Sequence, residues 1–149
     1  MERIAELEAE LAAHRRELGE LRLQLDILAT IDPTTGLLNR NGILDAVDAA
    51  ARRQGRTGEP FGLLLIAIPE LRRVRALDGE ALYVDVMRDV GALVTASLRD
   101  MDRVGRVDDM TLLALLPWVG DDGMPQVRSR LERVLRGRDA RLRPSFTSV

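Results

Sequence analysis

Residues 99–117 read Arg-Asp-Met-Asp-Arg-Val-Gly-Arg-Val-Asp-Asp-Met-Thr-Leu-Leu-Ala-Leu-Leu-Pro. A helix end, a short strand from Asp102 to Val107, a polar turn at Asp108 and Asp109 and an apolar strand from Leu112 to Leu116 closed by Pro117 predict a β-hairpin whose turn faces solvent. An apolar strand of this kind needs neighbours. Phe61 to Ile68 is the other almost unbroken apolar run, too short for a buried helix and rich enough in branched residues for a central strand. Between them lie two helical stretches, Glu70 to Leu77 and Gly79 to Leu98. The second turns Leu82, Val86, Met87, Val90, Leu93, Val94 and Leu98 inward.

Upstream, Asn41 to Gln54 reads as an amphipathic helix with Ile43, Leu44, Val47 and Ala51 on one side, followed by a loop from Gly55 to Pro60. Downstream, Gly120 to Gly123 is a loop, Pro125 to Arg136 a helix with proline in its first turn, and Arg143 to Val149 a further strand. Trp118 reads as a partly buried cap beyond the hairpin and Tyr83 as a core or interface residue.

The first 30 residues follow a different rule. Ile4, Leu7, Leu11, Leu18, Leu21, Leu25 and Leu28 recur at alternating spacings of three and four, with His14 where the remaining d residue belongs. With Ile4, Leu11, Leu18 and Leu25 at a, a parallel pair sets Arg3 against Glu8, Glu10 against Arg15 and Glu17 against Arg22, and all three pairs attract. The expectation is a parallel homodimer through residues 1–30, with a globular domain over 31–149. His14 sets register or relieves packing in that seam.

The composition narrows the function classes. At 149 residues, 46% hydrophobic and 31% charged, the chain is one domain with a short appendage and can bury a core. It has no cysteine and a single histidine, so thiolate and histidine metal sites are not expected. The 22 basic residues, all arginine, are spread along a chain of net charge −2, which argues against a nucleic-acid partner. No apolar stretch is long enough to span a membrane and no signal layout opens the chain, so a cytoplasmic protein is expected.

Two strings carry a resemblance. Asp32, Pro33, Thr34, Thr35, Gly36, Leu37, Leu38, Asn39 and Arg40 resemble the junction motif Asp, x, Leu, Thr, Gly, Leu, x, Asn, Arg of the GGDEF family of diguanylate cyclases, with one departure at Thr34. Arg106, Val107, Asp108, Asp109, Met110, Thr111, Leu112 and Leu113 to Pro117 fall without a gap on that family's Arg, apolar, Gly-Gly-(Asp or Glu)-Glu-Phe, apolar strand and Pro. The resemblance covers about residues 29 to 149 and stops before the family's last helix and edge strand. It implies an α/β fold, a mostly antiparallel central sheet flanked by helices, here preceded by the coiled-coil helix.

The family's chemistry is then the expectation to weigh. A cyclase holds two divalent cations on carboxylates and seats phosphates against glycine backbone. Here Ala67 stands at the family's metal-binding carboxylate, Asp108 and Asp109 replace the glycines, and Met110, Thr111 and Leu112 replace the rest of the signature. Arg75, Tyr83 and Val84 stand where the resemblance places base-reading groups. No catalytic residue, metal or cofactor is therefore expected. Arg99 and Asp102 match the family's inhibitory Arg, x, x, Asp, four residues before Arg106, which binds cyclic di-GMP. A guanidinium can fork onto guanine while the carboxylate accepts from its N–H edge. The plainer reading of the pair is a surface ion pair at a helix end. The expected function is a catalytically inactive signalling module, homodimeric and able to receive cyclic di-GMP at Arg99, Asp102 and Arg106. The alternative is a scaffold that recruits a protein partner and binds no nucleotide.

Overall fold

The computed structural model describes residues 2–149. Helix α1 (Glu2–Thr30) buries none of its residues against the domain. Its seam leucines stay about half exposed or more, from 49% at Leu7 and Leu21 to 75% at Leu28.

The junction motif works as a double cap. The Asn39 side-chain amide donates to Ala29 O at 3.0 Å, satisfying a carbonyl in the last turn of α1. Its Oδ1 accepts from Gly42 N at 2.9 Å and so caps helix α2 (Arg40–Thr57). Gly36, at φ 73°, makes the reversal between them, and Asp32 Oδ2 takes both the backbone N and the hydroxyl of Thr35. Leu37 packs against the main core while Leu38 packs on the opposite side of the sheet. The motif thus fixes the exit of the stalk and the start of the domain together.

The remaining elements are β1 (Phe61–Ala67), α3 (Glu70–Asp78), α4 (Glu80–Ser97), β2 (Arg103–Asp108), β3 (Thr111–Pro117), α5 (Met124–Arg138) and β4 (Ser145–Ser148). The strands form one antiparallel sheet in the order β2-β3-β1-β4, with the apolar β3 and β1 inside it. One face carries Leu64, Ile66, Leu112, Ala114 and Leu116 into a core closed by α3, α4 and α5. The other carries Leu113 and Leu115 against Ile43 and Ala50 of α2. Because a single helix covers this second face, Phe61, Leu63 and Leu65 on it are only half-buried. Among the described residues no helix is long and apolar enough to cross a membrane.

Three local expectations are corrected. The helix expected to end at Gln54 runs to Thr57, because the left-handed glycine that stops it is Gly58 at φ 77°, bonded to Gln54 O, and not Gly55. The hairpin turns at Asp109 and Met110: a bulge between Arg106 and Asp108 leaves Val107 unpaired and sets Asp108 opposite Thr111. Trp118, expected to be a partly buried cap, is 59% exposed and sits at φ 64°. A bulky residue in that region stores on the order of 1–3 kcal/mol. The bond from Trp118 N to Pro60 O at 2.9 Å helps hold it there.

Gly105 marks the closest approach of the sheet to α2, since a Cβ there would lie 2.4 Å from Ile43 Cβ. Gly105→Ala is expected to lower stability by about 1–3 kcal/mol through overpacking, read as a lower urea midpoint at unchanged slope. Gly19→Ala in α1, where a Cβ meets nothing within 4 Å, is expected to raise helix stability by up to about 1 kcal/mol.

Candidate functional site at the hairpin and the helix that precedes it

Sheet register brings Ala67 directly opposite Thr111, so the two positions where the resemblance places acidic groups do face each other across β1 and β3. A methyl group and a buried hydroxyl, flanked by Met110, offer no carboxylate there. The donor set does not fit a pair of divalent cations, which require several anionic oxygens. The two aspartates of the tip do not converge on one point either. Asp108 Oδ1 accepts from Met110 N at 3.0 Å and closes the turn, whereas Asp109 Oδ2 accepts from Arg75 at 2.8 Å. Among the described residues no group of three or more His, Cys, Asp or Glu side chains gathers as a metal cage.

The space beside the tip is filled by the chain's own side chains. Tyr83, from the second turn of α4, donates its hydroxyl to Asp109 O at 2.6 Å and accepts from Arg106 at 2.6 Å. Arg106 also donates to Asp32 Oδ1 at 3.1 Å, with both side chains 13% exposed, and lies 3.7 Å from Asp109. The Arg75 guanidinium lies 3.9 Å from the Tyr83 ring centroid, a cation–π contact, and pairs with Asp109 and Glu80. Burial pushes the Tyr83 phenol above its ordinary range, with the Arg106 charge opposing it, so the hydroxyl remains a donor. Four elements therefore meet on one tyrosine. Sequence reading placed Tyr83 as a core or interface residue; its link to Arg106 joins residues 23 apart, and no spacing rule reveals it.

Arg99 and Asp102 do come together. Arg99 donates from its backbone N to Asp102 Oδ2 at 2.8 Å and from its guanidinium to both carboxylate oxygens, at 2.9 and 3.3 Å. It also donates to Pro117 O at 2.5 Å. The Arg99 side chain is 47% exposed, but that of Asp102 is only 2% exposed. Asp102 is thus turned inward and staples the bend between α4 and β2. Arg106 is not brought to this pair: Arg103 opposes Leu115 near the Arg99 end of β2, while Arg106 opposes Leu112 near the tip and is held by Asp32 and Tyr83.

The four-stranded antiparallel sheet with three helices on one face, one on the other and a long helical stalk is the α/β architecture that the resemblance in the sequence implies. The sequence profile "Diguanylate cyclase, GGDEF domain" matches residues 29–145, and the chain belongs to the GGDEF family. It is 26% identical over 133 residues to "Uncharacterized membrane protein YdaK" of Bacillus subtilis (strain 168), covering 89% of this chain and 46% of that protein. It is 24% identical over 135 residues to diguanylate cyclase DgcP of Pseudomonas aeruginosa, covering 91% of this chain and 20% of that one. The chain therefore spans less than half the length of either relative.

Among solved structures, the coiled coil and GGDEF domain of DgcB from Caulobacter crescentus, in complex with c-di-GMP, superposes with a TM-score of 0.77 at 20% identity. That match covers 95% of this chain and 80% of the other. Diguanylate cyclase SiaD from Pseudomonas aeruginosa, in complex with its activator SiaC, gives 0.76 at 22% identity over 98% of this chain and 59% of that one. At such identities these likenesses concern the fold.

Tyr83→Phe is expected to cost about 1–2 kcal/mol, since it leaves Asp109 O without its donor. A phenol whose pKa is raised in the folded state stabilises the fold fully below its unfolded value of about 10. That contribution is lost as pH rises through the raised value. Tyr83 is the single tyrosine, so phenolate absorbance should titrate above pH 10 and together with alkaline unfolding. Titration at or below 10, or an unchanged alkaline limit in Tyr83→Phe, would contradict the burial argument.

Proposed function

We propose that this chain is a catalytically inactive GGDEF signalling module that homodimerises through its heptad helix and receives cyclic di-GMP at Arg99 and Asp102. The observation that carries the inactive reading is the pairing of Ala67 with Thr111 beside a tip filled by Arg75, Tyr83, Arg106 and Asp109. Phosphoryl transfer depends on groups that place cations and phosphates together, and loss of several members of such a set is not repaired one at a time. Dimerisation is supported by the exposed seam from Ile4 to Leu28 and by its three attractive charge pairings.

Cyclic di-GMP reception is supported by the outward guanidinium of Arg99, already oriented by Asp102 and Pro117 O. The inward carboxylate of Asp102 favours the second reading, a dimeric scaffold that recruits a protein partner and binds no nucleotide. On the first reading the carboxylate turns outward to accept from guanine, or Arg99 alone makes the contact.

No cyclic di-GMP should form from GTP with magnesium or manganese, and Thr111→Glu should not restore it. In calorimetry with cyclic di-GMP, Arg99→Ala should remove about 1–3 kcal/mol of binding, the worth of a bidentate Arg to guanine contact. Arg136→Ala, whose guanidinium pairs with Glu132 on α5, should change nothing. Absence of heat from the parent protein transfers the assignment to the scaffold. Leu18→Asp or Leu21→Asp should give monomer in sedimentation, because each sets a charge in the apolar seam.

A further inference from the structure

A pocket of about 340 Å3 opens between helix α3 and the loop that leads from α5 into β4. That size suits a small molecule. Part of its lining is apolar: Val74 and Leu142 are buried, and Leu77 stands beside them 70% exposed. Arg75 leaves the same helix in another direction, toward Asp109 at the hairpin tip. The pocket therefore shares no residue with the tip or with the Arg99 and Asp102 pair.

Glu70, at the start of α3, is the anomaly of this lining. Its Oε2 is shut off from solvent and has no hydrogen-bond partner among the described residues. The other enclosed, unbonded side-chain atoms, Arg75 Nε and Arg128 Nε, belong to guanidiniums that donate through another nitrogen. Glu70 makes no such second bond. An enclosed carboxylate oxygen is costly until a donor reaches it. Arg73, one turn along the same helix, also lines the pocket, yet it does not close onto Glu70 as Arg136 closes onto Glu132 on α5.

The opposite wall is already satisfied, because Arg141 pairs with Asp139 at 2.9 Å. Asp78, at the far end of α3, adds a third carboxylate. Three carboxylates against two guanidiniums leave the lining one negative charge over. With Asp139 and Arg141 closed on each other, the open groups are a carboxylate at each end of an apolar stripe and one guanidinium beside the first. A complementary ligand carries two cations separated by an aliphatic stem, and one anion next to the first cation.

We infer that the pocket between α3 and the α5–β4 loop binds a free basic amino acid, with lysine as the type. Its α-ammonium donates to Glu70, its α-carboxylate is forked by Arg73, and its stem lies over Val74, Leu77 and Leu142. The side-chain ammonium reaches Asp78. Glu70 and Asp78 are about 12 Å apart along the helix axis, and both side chains reach inward, so a four-carbon stem spans the remainder. The last torsion of a glutamate is broad, so the carboxylate turns to meet a donor at little cost. The net charge of the ligand, one positive, cancels that of the lining.

Calorimetry of the full chain with lysine should give saturable heat with a Kd below about 1 mM, and lysine should raise the melting temperature. Two analogues each lack one of the groups. Norleucine has no side-chain ammonium and cadaverine has no carboxylate, and each should bind about tenfold or more weakly than lysine. Glu70→Gln should weaken lysine by about tenfold or more. Arg73→Gln, at an exposed position, should keep its melting temperature and bring lysine down to the affinity of cadaverine. Leu77→Arg, also exposed, sets a cation at the stem's place and should abolish binding even where Glu70→Gln fails to fold. Arg133→Gln on the outer face of α5 should bind as the parent does. Absence of heat with lysine at 10 times the expected Kd, about 10 mM, would overturn the inference. So would norleucine or cadaverine binding as tightly as lysine, or parental binding by Arg73→Gln or Leu77→Arg.

Discussion

Arg106 is the constraint on which the rest of the domain depends. Its guanidinium reaches Asp32 in the junction, the hydroxyl of Tyr83 on α4 and the carboxylate of Asp109 at the hairpin tip. A charge so nearly enclosed survives only if its hydrogen bonds are met, and removing one partner leaves part of the guanidinium buried without an acceptor. Its own backbone N is bound to Leu38 O, so strand β2 is fixed to the junction by the main chain as well. The stalk's exit, the helix that crosses the core and the turn of the hairpin are thereby set in one geometry.

The same set of contacts accounts for the chemistry available at the tip. The Arg75 guanidinium lies over the Tyr83 ring and both reach Asp109: Arg75 donates to its carboxylate, Tyr83 to its main-chain carbonyl, and Arg106 lies 3.7 Å from the carboxylate. An aspartate in this turn without those donors would add only repulsion to an anionic ligand. With them it becomes part of the wall. Arg75, Tyr83, Arg106 and Asp109 form one internally bonded group beside the hairpin tip.

The sheet is covered unequally, and this decides where the protein's surface is open. Three helices seal one face, while α2 alone lies on the other and packs on it through Ile43, Ala46, Val47 and Ala50. Gly105 and Gly42 let α2 approach the sheet and the junction so closely that no side chain fits between. Beyond that contact the helix and the hairpin diverge, and a groove bounded by Trp118 is the result.

Much of the architecture was legible in the chain. The heptad of the stalk, the junction string from Asp32 to Arg40, the apolar runs of β1 and β3 and the hairpin between Arg103 and Pro117 each follow from local spacing. Spacing along a chain fixes which side of a helix or strand is apolar, and that is sufficient for element type and order. What only the tertiary structure decided was pairing across distance. Asp102 turns inward, Arg106 joins Tyr83 and not Arg99, the bulge at Val107 moves the turn by one residue, and Trp118 is exposed. Each outcome depends on which polar groups lie within about 3 Å once the elements pack. A polar side chain's partner is chosen by three-dimensional neighbours that hydrophobic periodicity does not encode.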